Sequence, residues 1–512
     1  MTKKAIIIGA GHNGLVCAAY LARGGVDVTV LEAADQVGGA AITREFATDI
    51  RVSAGAHLLY ALDEGIRRDL ALERYGLRMA AQDLYTIALH SDGEYVSMAD
   101  GTLGGPAATE DDKLAMAKYH RQMNRFAKII WDLKGQLPPR LGTTDSKDLT
   151  SLGKLGLAIR RLGVEDMREF LRITGINVYD ILQERFDSEL LKGALSLDGT
   201  LGTFLGPRSN NSVFCALHRY NQGKDFAIPE GGMGTVSTAL DGAARAAGAK
   251  IRTGHRVASI DMDHDRACGV TLENGETLNA DIVVSNADPK TTFERLLGQR
   301  HIEAGFANRI HHIRTRGCVA KLHLALDGPP QFAGLDGEQR GQRLVIAPDL
   351  QYVEHAFNHA KYGEHSARPV MEINVPTVHD DTLAPAGTHV LSANVQWAPY
   401  DLKAGWSEAK DAFLTICLDT LEAYAPGLKA QVTASELLTP ADLEAEFGMT
   451  GGHWHHQELA LDAFYMIRPV PGAAQYATPV NGLYLCGAGS HPGGGVMGCA
   501  GRNAAKAVLA GQ

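Results

Sequence analysis

Residues 5–32 read AIIIGAGHNGLVCAAYLARGGVDVTVLE, and the order of residue types in this stretch decides the fold. Ala5 to Ile8 is a short apolar run, the composition of a central parallel strand buried on both faces. Gly9, Gly11 and Gly14 follow at G-x-G-x-x-G spacing. The first glycine allows a tight turn, the second lets a pyrophosphate approach the backbone, and the third lets the next helix pack closely on the strand. Leu15 to Arg23 is the expected helix, its N-terminal N–H groups and positive dipole end facing the phosphates, and Gly24-Gly25 ends it. Asp27 to Leu31 is the second strand. Glu32 then stands where a carboxylate accepts hydrogen bonds from ribose hydroxyls, and an acid there disfavours a 2′-phosphate. A glycine-rich turn alone is weak evidence. With strand before, helix after and acid at the right distance, dinucleotide binding outweighs the alternative of a purely structural βαβ unit.

A second glycine pair, Gly38-Gly39 in AADQVGGAAITREF (33–46), returns toward the pyrophosphate, the extended pattern of FAD-binding Rossmann-type proteins. Ala40 follows the pair where many such proteins have arginine, so the phosphate contact falls to Arg44 or to backbone N–H groups. The tail repeats the grammar. In LYLCGAGSHPGGGVMGCAGRNAA (483–505), Leu483 to Cys486 reads as a strand, Gly487 ends it, Gly493 to Gly495 allow close backbone approach, and a helix is expected from Val496. Two such units suit a long cofactor: FAD has its ADP half on one and its ring on the other. The tail helix N-terminus, near Gly495, Val496 and Met497, would stabilise negative charge on the reduced ring. Between the ends, residues 248–289 alternate short strands with a turn at Asn274-Gly275, a meander that closes with a buried strand, Asp281 to Ser285. Val257 is placed where its backbone pairs with the adenine edge.

Bulk properties set bounds on the rest. A chain of 512 residues holds two domains or one elaborated domain, and 57 glycines exceed the usual share. A formal charge of −10 argues against a general nucleic-acid binder. The seven cysteines are scattered and never spaced as CxxC, which disfavours a disulfide framework or zinc knuckle and points to a reducing, cytoplasmic setting. The N-terminus has no signal-peptide pattern, and no apolar run reaches the ~18 residues of a spanning helix.

The motifs GAGHNGLVCAAYLA, the glycine pair after Glu32, IPEGGMG (228–234), VVSNADP (283–289), LDAFYMIRPVPG (461–472) and the tail together resemble the phytoene desaturase-related flavoproteins. Within these the chain is most similar to the branch of flavin-dependent carotene ketolases and pyridine nucleotide-disulphide oxidoreductase domain-containing protein 2. The resemblance spans the chain. It implies an α/β fold: a Rossmann-type FAD domain (1–46, 226–289 and 468–512) interleaved with a mixed α+β substrate domain (47–225 and 290–467). Neither a CxxC nor a second G-x-G-x-x-G after a strand is present, so the expected electron acceptor is oxygen or a quinone rather than a nicotinamide. The expected reaction is desaturation or oxidation of a lipophilic, carotenoid- or isoprenoid-like substrate by hydride transfer to flavin N5. Amine oxidation, flavin-dependent isomerisation without net redox, and a non-catalytic lipid-binding escort role are the alternatives.

The flavin does the hard chemistry, so few protein catalysts are needed. His57, in SAGAHLLY (53–60), matches the position where the family's chain passes the flavin; a core histidine bonded to backbone is the competing reading. TGGHWHHQELALD (450–462) brings His453, His455 and His456 close in sequence, but without a second cluster at ligand spacing a metal site is not expected. The resemblance carries over His456, Asp462 and Arg468, with His456 as proton donor or acceptor near the flavin and Gln457 standing where glycine is usual. SLGKLGLAIRRLG (151–163) reads as a surface helix packing one face on the core, with peripheral membrane contact as the alternative. Pro138-Pro139 ends whatever helix runs through 128–141. Val319 to Leu326 and Thr388 to Ala398 alternate like strands with one face toward a pocket.

Overall fold

Ile6, Ile7 and Ile8 lie in the centre of a five-stranded parallel sheet, in the computed structural model that describes residues 2–220 and 226–511. Its strand order is Lys250–Arg252, Asp27–Leu31, Lys4–Ile8, Ile282–Ser285 and Leu483–Leu485. Three distant parts of the chain thus build one sheet, with Ala5 opposite Ile282 and Val283 opposite Leu483. The first helix, His12–Arg23, starts earlier than expected because Gly11 serves as its N-cap and His12 is already helical. A methyl group on Gly14 would lie 2.2 Å from the Gly9 carbonyl oxygen, so strand and helix meet here with no room for a side chain.

The tail departs from expectation in one respect. Its helix is Cys499–Ala510, not a helix from Val496: Val496 (φ 47°) and Gly498 (φ 77°) both take left-handed backbone, which breaks the helical path. Gly501 then packs that helix onto the first one, since a methyl there would come within 2.1 Å of the Asn13 carbonyl. The expected meander is present as Val257–Asp263, Arg266–Leu272 and Thr277–Asn279.

A mixed eight-stranded sheet forms the other layer: Val432–Leu438, Val319–Asp327, Thr388–Gln396, Val370–Asn374, Arg343–Ile346, Thr86–Leu89, Tyr95–Ala99 and Thr102–Gly104. The strand Val319–Asp327 is buried from Val319 to Leu326, so both of its faces are covered, and Val319, Ala320 and Lys321 line the cavity described below. Helices including Glu110–Lys134, Glu189–Thr200, Ser212–Arg219 and Leu350–Lys361 supply a large apolar cluster beside this sheet. The first of these stops at Gly135, before the two prolines. The basic segment is the helix Ser146–Arg160, N-capped by Asp145. All seven cysteines are unpaired. Among the described residues, no helix is long and apolar enough to cross a membrane.

Candidate active site

A cavity of about 860 Å³ runs from the glycine turn to the face of the eight-stranded sheet. At one end it is walled by Gly9, Gly11, Gly38, Gly39, Glu32 and Val257. The strand-to-helix turn is tied by Gly9 N–H donating to the Leu31 carbonyl (2.8 Å) and Gly38 N–H to the Ala10 carbonyl (2.9 Å). Glu32 is fixed by two backbone donors, Ala10 N–H at 2.6 Å and Ala34 N–H at 2.9 Å. His255 N–H donates to the Glu32 carbonyl at 2.7 Å, which brings Val257 to the same end. Asn286 closes the turn from the neighbouring strand: a methyl on Gly11 would sit 2.8 Å from its Nδ2.

Arg44 lines this cavity with its guanidinium already engaged, Nε to Glu446 at 2.7 Å and Nη2 to Glu436 at 3.0 Å. Burial opposes its charge, but hydrogen bonds and charge from the two glutamates outweigh that and raise its pKa. The arginine read from sequence, with backbone N–H groups, as the phosphate contact thus stands on the cavity wall with Glu436 and Glu446 as its partners. Gly14, Gly487 and Met497 do not line the cavity. Gly14 and Gly487 serve backbone packing, the latter leaving 2.5 Å between a notional methyl and the Asn286 carbonyl. Met497 is buried beside Ala61 and Cys499. The first turn of the tail helix meets Asp63, which bonds Arg502 at 2.8 Å, so the cavity is lined there by Gly495 and Val496 rather than by the helix itself.

At the other end, sheet register assembles a buried polar row. Lys321, Asn394 and Glu372 lie directly opposite one another on three adjacent strands, which puts their side chains on one face. Asn394 donates to Glu372 Oε2 at 2.8 Å, and Lys321 Nζ donates to Asn394 Oδ1 at 3.4 Å. His57 completes the group, Nε2 lying 3.2 Å from Glu372 Oε2. The other carboxylate oxygen accepts from Arg343 Nε at 2.7 Å and from Arg219, and both guanidiniums also hold Asp198. Burial would raise the Glu372 pKa, yet Arg219 and Arg343 hold it well below the usual range. Burial pushes Lys321 well below its ordinary range. Burial, aided by Lys321 and opposed by Glu372, brings His57 down to about 4. The imidazole is neutral at pH 7; its Nε2 lies between Glu372 Oε2 (3.2 Å) and the Asn394 amide Nδ2 (3.1 Å), and its Nδ1 is buried without a protein partner.

The two histidines read from sequence as catalytic candidates both line the cavity but belong to different groups. His456 (φ 58°) stands with His12 and Asp288, whose carboxylate accepts from Thr291 and Thr450. His453 and His455 turn to other partners, and among the described residues no three metal-ligating side chains converge. Asp462 lies near the surface and pairs with Arg314 at 2.7 Å. Sequence reasoning passed over Lys321, Glu372, Asn394, Asn286 and His12. The signal was there for the first three, each a polar residue inside an apolar strand run, VAKLHLAL, VMEIN and HVLSANV. Only strand register reveals that they face one another.

A family model described as flavin containing amine oxidoreductase matches residues 14–509. The chain belongs to this family. It is 36% identical to the mouse pyridine nucleotide-disulfide oxidoreductase domain-containing protein 2, over 99% of this chain and 93% of the relative. It is 27% identical to a component of the limonene dehydrogenase of Castellaniella defragrans, over 98% and 94% of the two chains. A lycopene-forming phytoene desaturase of a Paracoccus species is 26% identical, over 99% and 97%. The protein is thus an FAD-dependent oxidoreductase related to the phytoene desaturases. The residues present fit FAD: side-chain-free glycines at the turn, a fixed carboxylate on the ribose side, and a second glycine segment at Gly495.

Proposed function

We propose that the protein oxidises a carbon centre of a largely apolar, isoprenoid-type substrate, with oxygen or a quinone as the final electron acceptor. FAD, when bound, supplies the hydride acceptor. One observation carries the choice over amine oxidation. Glu372 and Asp198, the carboxylates at the inner group, are each bound by both Arg219 and Arg343. That closed quartet leaves the pair of carboxylates engaged, while burial disfavours the charged forms of Lys321 and His57. An alkyl ammonium would meet the Arg219 guanidinium on the cavity wall and no uncommitted carboxylate of the pair. The names of the limonene and phytoene relatives point the same way.

In this reading the hydrogen of one substrate C–H bond leaves as hydride, His57 Nδ1 takes the proton lost from the neighbouring carbon as the double bond forms, and Glu372 orients the imidazole by accepting from Nε2–H. The test is anaerobic mixing of the flavin-loaded protein with terpenoids and with alkyl amines while the flavin absorbance is followed. Bleaching by an isoprenoid and not by amines is expected, and His57→Asn should slow it by about 10²–10⁴-fold. Bleaching by amines alone reverses the substrate assignment. Turnover with no bleaching and no acceptor consumed makes the protein an isomerase, and a chain that takes up no flavin makes it an escort.

Peripheral membrane contact belongs to the same proposal, since a lipophilic substrate is delivered from a bilayer. Leu149 and Leu157 are 51% and 45% exposed on the helix Ser146–Arg160, which also carries Lys147, Lys154 and Arg160. Co-sedimentation with anionic vesicles should be weakened by Leu149→Ser with Leu157→Ser; unchanged binding, or none in the parent chain, refutes the contact.

A further inference from the structure

His12 is the first residue of the helix that follows the glycine turn, and it lines the cavity together with His456. His456 approaches from a separate segment, next to Gly489, with left-handed backbone (φ 58°) and a buried Nδ1 that has no hydrogen-bond partner in the protein. The two imidazoles are near enough that charge on His456 disfavours charge on His12. The cationic side chains expected near a diphosphate are missing from the turn itself: Ala40 follows the glycine pair, and Arg44 is held by Glu436 and Glu446.

We propose that His12 and His456 are a proton-linked diphosphate site: both imidazoles charge when the cofactor's diphosphate occupies the cavity, and they supply the positive charge that an arginine provides elsewhere. The protons come from solvent and return to it when the cofactor leaves. The inference rests on the assignment of FAD.

The surroundings favour a switch. Without an anion, burial first, then His456, brings His12 down to about 4. Burial lowers His456 too; Asp288 favours its charge, while His453 and Arg468 oppose it. Glu32, Asp35, Arg256 and Arg295 complete the charged wall of the same end, and His455 adjoins His456. An entering diphosphate adds negative charge in a partly desolvated site, where its effect on an imidazole is large. The N-terminus of the helix His12–Arg23 favours the anion as well, but its strength does not vary with pH.

Linkage then fixes the sign. A group that gains a proton on binding makes affinity rise as pH falls through its bound-state pKa, by up to about tenfold per pH unit for each imidazole. The experiment is FAD release from the loaded protein, followed by flavin fluorescence between pH 6 and 9. FAD affinity should fall as pH rises; H12Q and H456Q should each weaken FAD at low pH and flatten the profile, and the double variant should show no slope. Riboflavin, which lacks the diphosphate, should bind the unaltered chain with no slope, a comparison that decides the matter even where a variant fails to fold. A flat FAD profile, a slope that persists in the double variant, or a riboflavin slope equal to that of FAD overturns the proposal. A protein that carries no flavin at any pH overturns the cofactor assignment itself, and is told apart by the absence of both ligands.

Discussion

Arg468→Met lowers stability by about 3–5 kcal/mol and strips the protein of flavin, a large part of the ~5–15 kcal/mol that holds a typical domain folded. Arg468 is fully buried, and its donors go to main-chain carbonyls rather than to a carboxylate. Nη1 donates to Glu458 (3.0 Å) and Ala463 (3.1 Å), Nη2 to His455 (2.7 Å) and Ala488 (3.0 Å), and Nε to Ser490 (3.2 Å). Burial takes its pKa down to about 9, and Glu458 opposes that shift. The guanidinium thereby joins the histidine segment to the glycine-rich tail, so methionine leaves buried carbonyls unpaired at both. Arg468→Lys should fail as well, because a single ammonium with three donors cannot span the fork. Urea unfolding together with released-flavin content checks this. A loss under about 1 kcal/mol with full flavin content refutes the joining role.

Acidification from pH 7 to 5 should cost the fold several kcal/mol, a second large effect. His57 and His491 are held down to about 4 and about 3, while His218, His323 and His455 lie well below the usual histidine range, burial being the main cause in each. In the unfolded chain histidine titrates near 6.5. A lowered folded value means that the unfolded state binds more protons between the two values, so stability is complete above about pH 6.5 and is lost as pH falls toward the folded pKa. At pH 5 His57 and His491 each cost about 2 kcal/mol, and the other three add in the same direction. Melting temperature measured from pH 7.5 to 5 should fall steeply. A constant value over that range shows that these imidazoles do not remain neutral in the folded protein.

The glycine turn was legible because its physics is local. Gly9, Gly11 and Gly14 are demanded by one strand-turn-helix, and Glu32 sits one strand later, so spacing alone places them. The same local logic found the meander, and it misplaced the tail helix because the left-handed Gly498 at its start lies tight against Ile66 and Val16, which come from other parts of the chain. Arg44 shows the limit differently: its partners Glu436 and Glu446 lie some four hundred residues away in sequence.

By itself the sequence determined the dinucleotide cradle, the cofactor class and the family, since these depend on short-range spacing of residues that must lack side chains or accept a ribose. Tertiary structure alone decided the chemistry at the inner end of the cavity. Lys321, Asn394 and Glu372 meet only through strand register, and His57, Arg219 and Arg343 reach Glu372 from three other parts of the chain. A buried carboxylate becomes a fixed anion, and a buried histidine a neutral base, only when the groups around it are in place.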